Sequence, residues 1–264
     1  MSIQAPISSS APAPEVPALP VDRRRVLWEV LIVFGGTILI CATLYQLQGA
    51  IPLVKRYIHE MHWVAFVYIP TFLLRRRDED FQDYGLTVNP IGRGLLTFLI
   101  VSLIIFPLFT LGFYFYYRMA CAAAISGTPL PAQISSLCRR FVGSWRNVRF
   151  RLPPKFGEKA LVQLIVTGFS EEYFFRGYVQ SRLNVVWPPN PNIYRHPVGR
   201  STLVTSFLFA IGHPLVDLNP LRLAVFFPSL AFCWIRQATG SIMASVFFHA
   251  SCNLISDVLH HLFF

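Results

Sequence analysis

Residues 157–182 read GEKALVQLIVTGFSEEYFFRGYVQSR. Within this run, Ser170-Glu171-Glu172-Tyr173-Phe174-Phe175-Arg176 sets two adjacent carboxylates and an arginine among Leu, Ile, Val, Phe and Tyr. At a bilayer centre each such charge costs about 2.5–3.5 kcal/mol on insertion scales, so an intramembrane ionisable group is a functional-site candidate by default. Helical geometry assigns the first partners. Glu172 and Arg176 lie four residues apart, about 40° round a helix, and can form an ion pair. Glu171 is turned about 100° from Glu172 and has to find partners elsewhere in the chain.

The surrounding composition says what kind of protein holds this run. The chain has 264 residues, 54% hydrophobic, 15% aromatic and 14% charged, with a mean hydropathy of +0.49. That is too apolar for a soluble domain of this size and too evenly apolar for a single anchor. The expected fold is all-α, a polytopic transmembrane helical bundle of seven to eight spans with an intramembrane polar cavity. Net charge is +10, with Arg23 to Arg25, Arg75 to Arg77, Arg139 and Arg140 clustered at the ends of apolar runs. This distribution suits the anionic headgroups of a lipid bilayer, and no nucleic-acid-binding signature accompanies it. Lys and Arg totals over alternate loops are nearly equal, so the positive-inside rule assigns no orientation. Cys41, Cys121, Cys138, Cys233 and Cys252 show no metal-type spacing. They read as small core residues, neither a disulfide framework nor a zinc site.

Residues 1–22 are rich in Ala, Pro and Ser and read as a disordered tail without the plan of a signal peptide. Residues 23–264 read as one membrane-embedded helical domain, with the chemistry concentrated in 157–264. The first span is expected from Val26 to about Gln48, with Glu29 near its mouth paired locally beside three arginines. A second runs from about Tyr57 to Leu74, where His59 and His62 read as interfacial polar residues. Arg75 to Asp80 reads as a solvated charge run. The third span is expected from Leu95 to about Tyr117. The polar interval 118–159 has room for an interfacial helix near Ile134 to Trp145 or an eighth span. After the glutamate-bearing span and a Pro/Asn loop from Trp187 to Asn192, three helical runs are expected: Ser201 to His213, Pro220 to Ala238 and Ser241 to about Phe263. The short Thr239-Gly240 turn makes the last two antiparallel neighbours.

Two further polar sites interrupt these runs. His213 ends one of them. His249 and Asn253 sit four apart on one helical face deep in another. Each could be helix-packing glue on its own. Together, three apolar spans supply two carboxylates, an arginine, two histidines and an amide, a set that three separate packing solutions would not need.

Glu171-Glu172-x-x-x-Arg176, Phe209-x-x-x-His213 and His249-x-x-x-Asn253 resemble, in order, the three motifs of the CPBP family of intramembrane glutamic proteases. That family takes in type II CAAX prenyl proteases, bacteriocin-processing enzymes and Abi-like proteins. Tyr84-Gly85-Leu86 and Thr239-Gly240-Ser241 are similar to recurrent features of its bacterial members. The resemblance covers about Asp83 to Asn253 and implies a multi-pass protein of the bacterial inner membrane. It implies hydrolysis of a peptide bond in a membrane-associated protein or peptide, with no cofactor and no metal.

In that reading Glu171 is the general base, His213 shares and orients the water, and His249 and Asn253 donate to the oxyanion. Glu172 and Arg176 form a supporting ion pair. Tyr173, Phe174, Phe175 and Phe209 read as packing residues. Two alternatives stand beside it. One is a metallopeptidase in which Glu171, His213 and His249 bind zinc. The other is a non-enzymatic membrane scaffold or transporter component.

Overall fold

Asp22 opens the first helix: its carboxylate accepts from the backbone N–H groups of Arg24 and Arg25, satisfying donors that a helix start leaves free. The computed structural model describes residues 22–129, 132–190, 192 and 198–264. The expected disordered tail therefore lies outside the described residues, apart from Asp22. Helix α1 is Arg23–Leu47, and α2 is Pro52–Arg76, started by a proline whose missing N–H costs nothing there. Helix α3, Ile91–Ile125, runs past the expected end near Tyr117, because Met119-Ala120-Cys121-Ala122-Ala123-Ala124 keep it helical up to Ser126-Gly127.

The long polar interval holds only a short helix α4, Ala132–Cys138, and one 3₁₀ turn, Trp145–Asn147. Neither the interfacial helix expected over 134–145 nor an eighth crossing is present among the described residues. Cys121 and Cys138 form a disulfide, which corrects their reading as isolated core residues. They lie 17 apart in sequence, and α4 folds the second back onto the end of α3.

Residues 156–186 form one continuous helix, α5. It alternates α turns with two wide π stretches, Val162–Gly168 and Tyr173–Val179, on either side of Phe169–Glu172. Helix α6 is Arg200–Asp217, followed by a 3₁₀ turn at Pro220–Val225 and helices α7, Phe226–Thr239, and α8, Met243–Phe263. Helix α1 packs on α2 and α6, α6 on α7, and α8 on α3, α5 and α7. The described residues contain no strand, in keeping with an all-α fold.

Two helices, Arg23–Leu47 and Ile91–Ile125, are long and apolar enough to cross a membrane. Helix α3 turns a row of side chains outward, among them Leu96, Leu99, Leu103 and Ile104. No other helix among the described residues combines that length with that apolarity.

As expected, α7 and α8 are antiparallel neighbours joined at Gly240, whose φ of 76° is the left-handed conformation that glycine adopts without strain. The turn has a specific partner. Ile242 N–H donates to Gly85 O at 3.0 Å, and Ser241 Oγ donates to Thr87 O. Gly85 has φ 81°, and a side chain there would run into the Arg236 guanidinium. The Tyr84-Gly85-Leu86 and Thr239-Gly240-Ser241 segments, 155 residues apart, are thus two halves of one contact.

The same end of the bundle carries a charge network that corrects two expectations. Glu29 is held by Arg77 (2.7 Å), Arg182 (3.1 Å) and the Tyr178 hydroxyl (2.6 Å), and not by the adjacent arginines 23–25. Within the supposed solvated run, Glu79 accepts from Arg182 and from Tyr84. Burial, reinforced by the Glu79 hydrogen bond, pushes the Tyr84 phenol up to about 12, so it remains a donor at neutral pH. Half-buried charges recruit each other across helices because neither can be fully hydrated there.

Glu29→Gln removes the negative charge shared by two arginines and a tyrosine and leaves one acceptor oxygen in place of two; it is expected to lower stability by about 1.5–3 kcal/mol, the worth of a hydrogen bond to a charged group. Arg23→Gln is expected to leave Tm unchanged. Thermal unfolding of the two purified variants in detergent checks both.

Candidate active site

The site is assembled where α5 meets α8. Gly168 makes the approach possible: a Cβ there would lie 3.2 Å from Val246 O and 3.6 Å from Ala250 Cβ. The α turn Phe169–Glu172 follows directly and sends its two carboxylates in different directions, as the 100° rotation predicts. Glu172 turns into the core and is fully buried, together with Arg176. Glu171 turns into a cavity of about 610 Å³.

The buried pair is close to its expected form. Arg176 Nη1 donates to Glu172 Oε1 at 3.0 Å, and Nη2 donates to Ser229 Oγ at 2.6 Å. The guanidinium lies 4.4 Å from the Phe209 ring centroid and 4.9 Å from that of Phe232, a cation–π enclosure in place of water. What the sequence did not reveal is a third member. His249 Nδ1 is 2.8 Å from the same Glu172 Oε1, and its ring stacks on Phe232 with centroids 4.7 Å apart. With Glu172 salt-bridged to Arg176, the shared oxygen accepts and His249 Nδ1–H donates. The other ring nitrogen, Nε2, then points toward Glu171 Oε2 at 3.9 Å. That separation is too long for a direct hydrogen bond.

His213 is fixed by similar logic. Its Nδ1 is 2.8 Å from Phe209 O, and a carbonyl oxygen only accepts, so Nδ1 carries the hydrogen. In the neutral ring Nε2 is therefore an acceptor. The Phe209 ring packs edge-on against His213 at 4.8 Å.

Glu171, His213, His249 and Asn253 all line this one cavity together, and Glu172 and Arg176 are fully buried beside it. Glu171 Oε2 is buried without a hydrogen-bond partner among the described residues. The cavity reaches the end of the bundle where α1 stops at Gln48, α2 begins near His59, and α6 ends at Asp217. His59 and His62 line it as well, toward its open end, and His62 Nε2 lies 3.1 Å from Cys41 O. Sequence reasoning also missed Gln163, whose Oε1 accepts from Asn253 Nδ2 at 2.8 Å. Its signal was present: it is the polar residue in Leu161-Val162-Gln163-Leu164-Ile165, eight positions before Glu171.

No three His, Cys, Asp or Glu side chains among the described residues are grouped to hold a metal ion.

Arg176→Met leaves Glu172 buried without its counter-charge and is expected to destabilise the protein by about 3–5 kcal/mol. In the double variant Arg176→Met, Glu172→Leu much of that loss is expected to return, since no buried charge is left unpaired. Tm values of the three proteins measure the difference.

Comparison with known proteins bears on this arrangement. No curated protein and no solved structure matches the chain. Residues 156–255 match the family described as type II CAAX prenyl endopeptidase, Rce1-like. The matched segment starts with α5, ends two residues past Asn253, and so contains every motif residue of the cavity and its wall. Over this segment, which holds the motif residues, the chain is similar to Rce1-like type II CAAX prenyl endopeptidases.

Proposed function

We propose that the protein is a multi-pass intramembrane endopeptidase that hydrolyses a peptide bond of a membrane-associated protein or peptide, using water activated by Glu171 and His213. The observation that carries the reading is that Glu171, one of whose carboxylate oxygens is buried without a hydrogen-bond partner among the described residues, lines the same cavity as His213, whose Nε2 accepts. A water between these groups can donate one hydrogen to each, which leaves its lone pair directed at a substrate carbonyl.

Attack forms the C–O bond as Glu171 takes the proton, and negative charge develops on the carbonyl oxygen. His249 Nε2–H and Asn253 Nδ2–H are the donors for that oxyanion, each worth about 2.7–4 kcal/mol in comparable sites. For Nε2 to donate while Nδ1–H is engaged with Glu172, the ring acts as imidazolium. Glu171, Glu172, Arg176 and this imidazolium then sum to zero charge, which suits an enclosed site. Glu171 returns its proton to the departing amine as the C–N bond breaks. Glu172 serves the chemistry through His249 as well as the fold through Arg176.

The membrane reading extends the two crossing helices to all seven long helical segments. The segments around the cavity are less apolar because they carry its polar lining. The cavity mouth lies at the same end as the Cys121–Cys138 disulfide: α8 ends there, and Val142 N–H donates to Phe263 O. Disulfides persist in oxidising compartments, so the mouth faces the extracytoplasmic side and takes substrates from it.

Glu171→Gln is expected to abolish cleavage with Tm preserved, seen as uncleaved precursors accumulating in the membrane proteome. Unchanged processing would reject the proposal. Cleavage is expected to persist after exhaustive chelation, whereas its loss would favour the zinc alternative. For orientation, Asn147→Cys should react with a membrane-impermeant maleimide in intact cells and Asp78→Cys only after permeabilisation. The reverse pattern would invert the topology.

A further inference from the structure

The role given to Asn253 contains an ambiguity that the cavity itself resolves. A carboxamide presents an oxygen on one side and two N–H groups on the other, and a half-turn of its terminal torsion exchanges them. An oxyanion is stabilised only by the N–H side and repelled by the oxygen. Asn253 is half-buried, and among the described residues its side chain bonds to Gln163, where Nδ2 donates to Oε1 at 2.8 Å. One Nδ2 hydrogen is thereby held by Gln163, which leaves the second for a ligand in the cavity that Asn253 lines.

Gln163 is placed for this by α5. It lies in the wide stretch Val162–Gly168 and shares a cavity-facing stripe with Thr167, Ser170 and Glu171. The wide stretch is tied down from outside: the Trp63 indole N–H donates to Ile165 O at 3.1 Å. The helix that carries the water-activating carboxylate therefore also carries the group that orients a donor on α8.

We propose that Gln163 is a positioning residue for the oxyanion: it accepts from Asn253 and so keeps the Asn253 amide turned with its free N–H toward the substrate carbonyl. This rests on the protease reading above. It assigns Gln163 no contact with the reacting atoms. Its substitution changes the rate through Asn253 and not through binding of the substrate.

The test follows the half-life, by pulse-chase, of the membrane precursor that accumulates in cells producing Glu171→Gln. Gln163→Leu should lengthen that half-life about 10–100-fold, the usual scale for removing the partner that orients a site ligand. In an Asn253→Ala background the same substitution should add nothing, because its effect passes through the missing amide. Gln163→Glu keeps only acceptors at this position and should retain most of the wild-type rate. Rates are taken per folded protein, and where Gln163→Leu folds poorly the Gln163→Glu variant decides. The proposal is overturned if Gln163→Leu matches wild type, if its loss multiplies with that of Asn253→Ala, or if Gln163→Glu is as slow as Gln163→Leu. If Glu171→Gln itself processes every precursor normally, the protease reading falls and this inference with it. A precursor blocked by Glu171→Gln but processed normally by Gln163→Leu removes the inference alone.

Discussion

A fully buried arginine is the constraint on which the rest of the structure depends. Arg176 cannot be neutralised by losing its proton, so the core around it has to supply a counter-charge, hydrogen-bond acceptors and aromatic faces. It does so from several helices: Glu172 one turn back on α5, Ser229 and Phe232 on α7, and Phe209 on α6. Those same contacts fix where α5, α6 and α7 stand relative to one another. Because Glu172 also receives His249 from α8, one guanidinium ties four helices together. The exposed face of this assembly is the cavity wall. The Glu172 oxygen that neutralises Arg176 is also the one that holds the His249 ring in place.

The two ends of the bundle are built on different principles. At one end, charged and aromatic groups from α5 and the 77–90 loop close around Glu29 of α1, and the Gly85 and Gly240 turns are joined by Ile242 N–H to Gly85 O and Ser241 Oγ to Thr87 O. At the other end, α1, α2 and α6 terminate around the cavity mouth and leave it lined by Gln48, His59 and Asp217. Closing one end firmly lets the other stay open without loosening the glutamate helix, whose far turn carries Arg182 into the closed end. The Glu171 carboxylate lies halfway between these ends, at the midpoint of 156–186.

Much of this was legible in the sequence because it follows from helical periodicity. The separation of Glu171 from Glu172, the pairing of Glu172 with Arg176, and the shared face of His249 and Asn253 are consequences of 100° per residue. The long apolar runs announced the helices, and Thr239-Gly240 announced the antiparallel pair. What could not be read depends on contacts across the fold. Nothing local says that Glu29 will meet Arg182 rather than Arg25, that Cys121 will find Cys138, or that His249 will rest on Glu172. His59 and His62 read as interfacial because they stand at the start of a span, and only the position of α2 against α5 adds that they line the cavity. Gln163 was visible as a polar residue in an apolar run, but its importance needed the position of α8.

The wide turns of α5 have a consequence for how such a site tolerates change. A π stretch holds one more residue per turn than an α-helix and departs from its regular register. The direction in which Glu171 points relative to Gln163 is therefore set by the number of residues between them as much as by their identity. Loss of one residue from Val162–Gly168 would let the stretch relax to α geometry and still look like an ordinary hydrophobic helix. The tighter α turns would make up for the missing residue, so the groups beyond would keep nearly their original direction. The same loss from the α turn Phe169–Glu172 has no such slack and would swing them by about a quarter-turn. Chain length is thus part of the site's specification where the helix is α, and the wide stretches are where it can give.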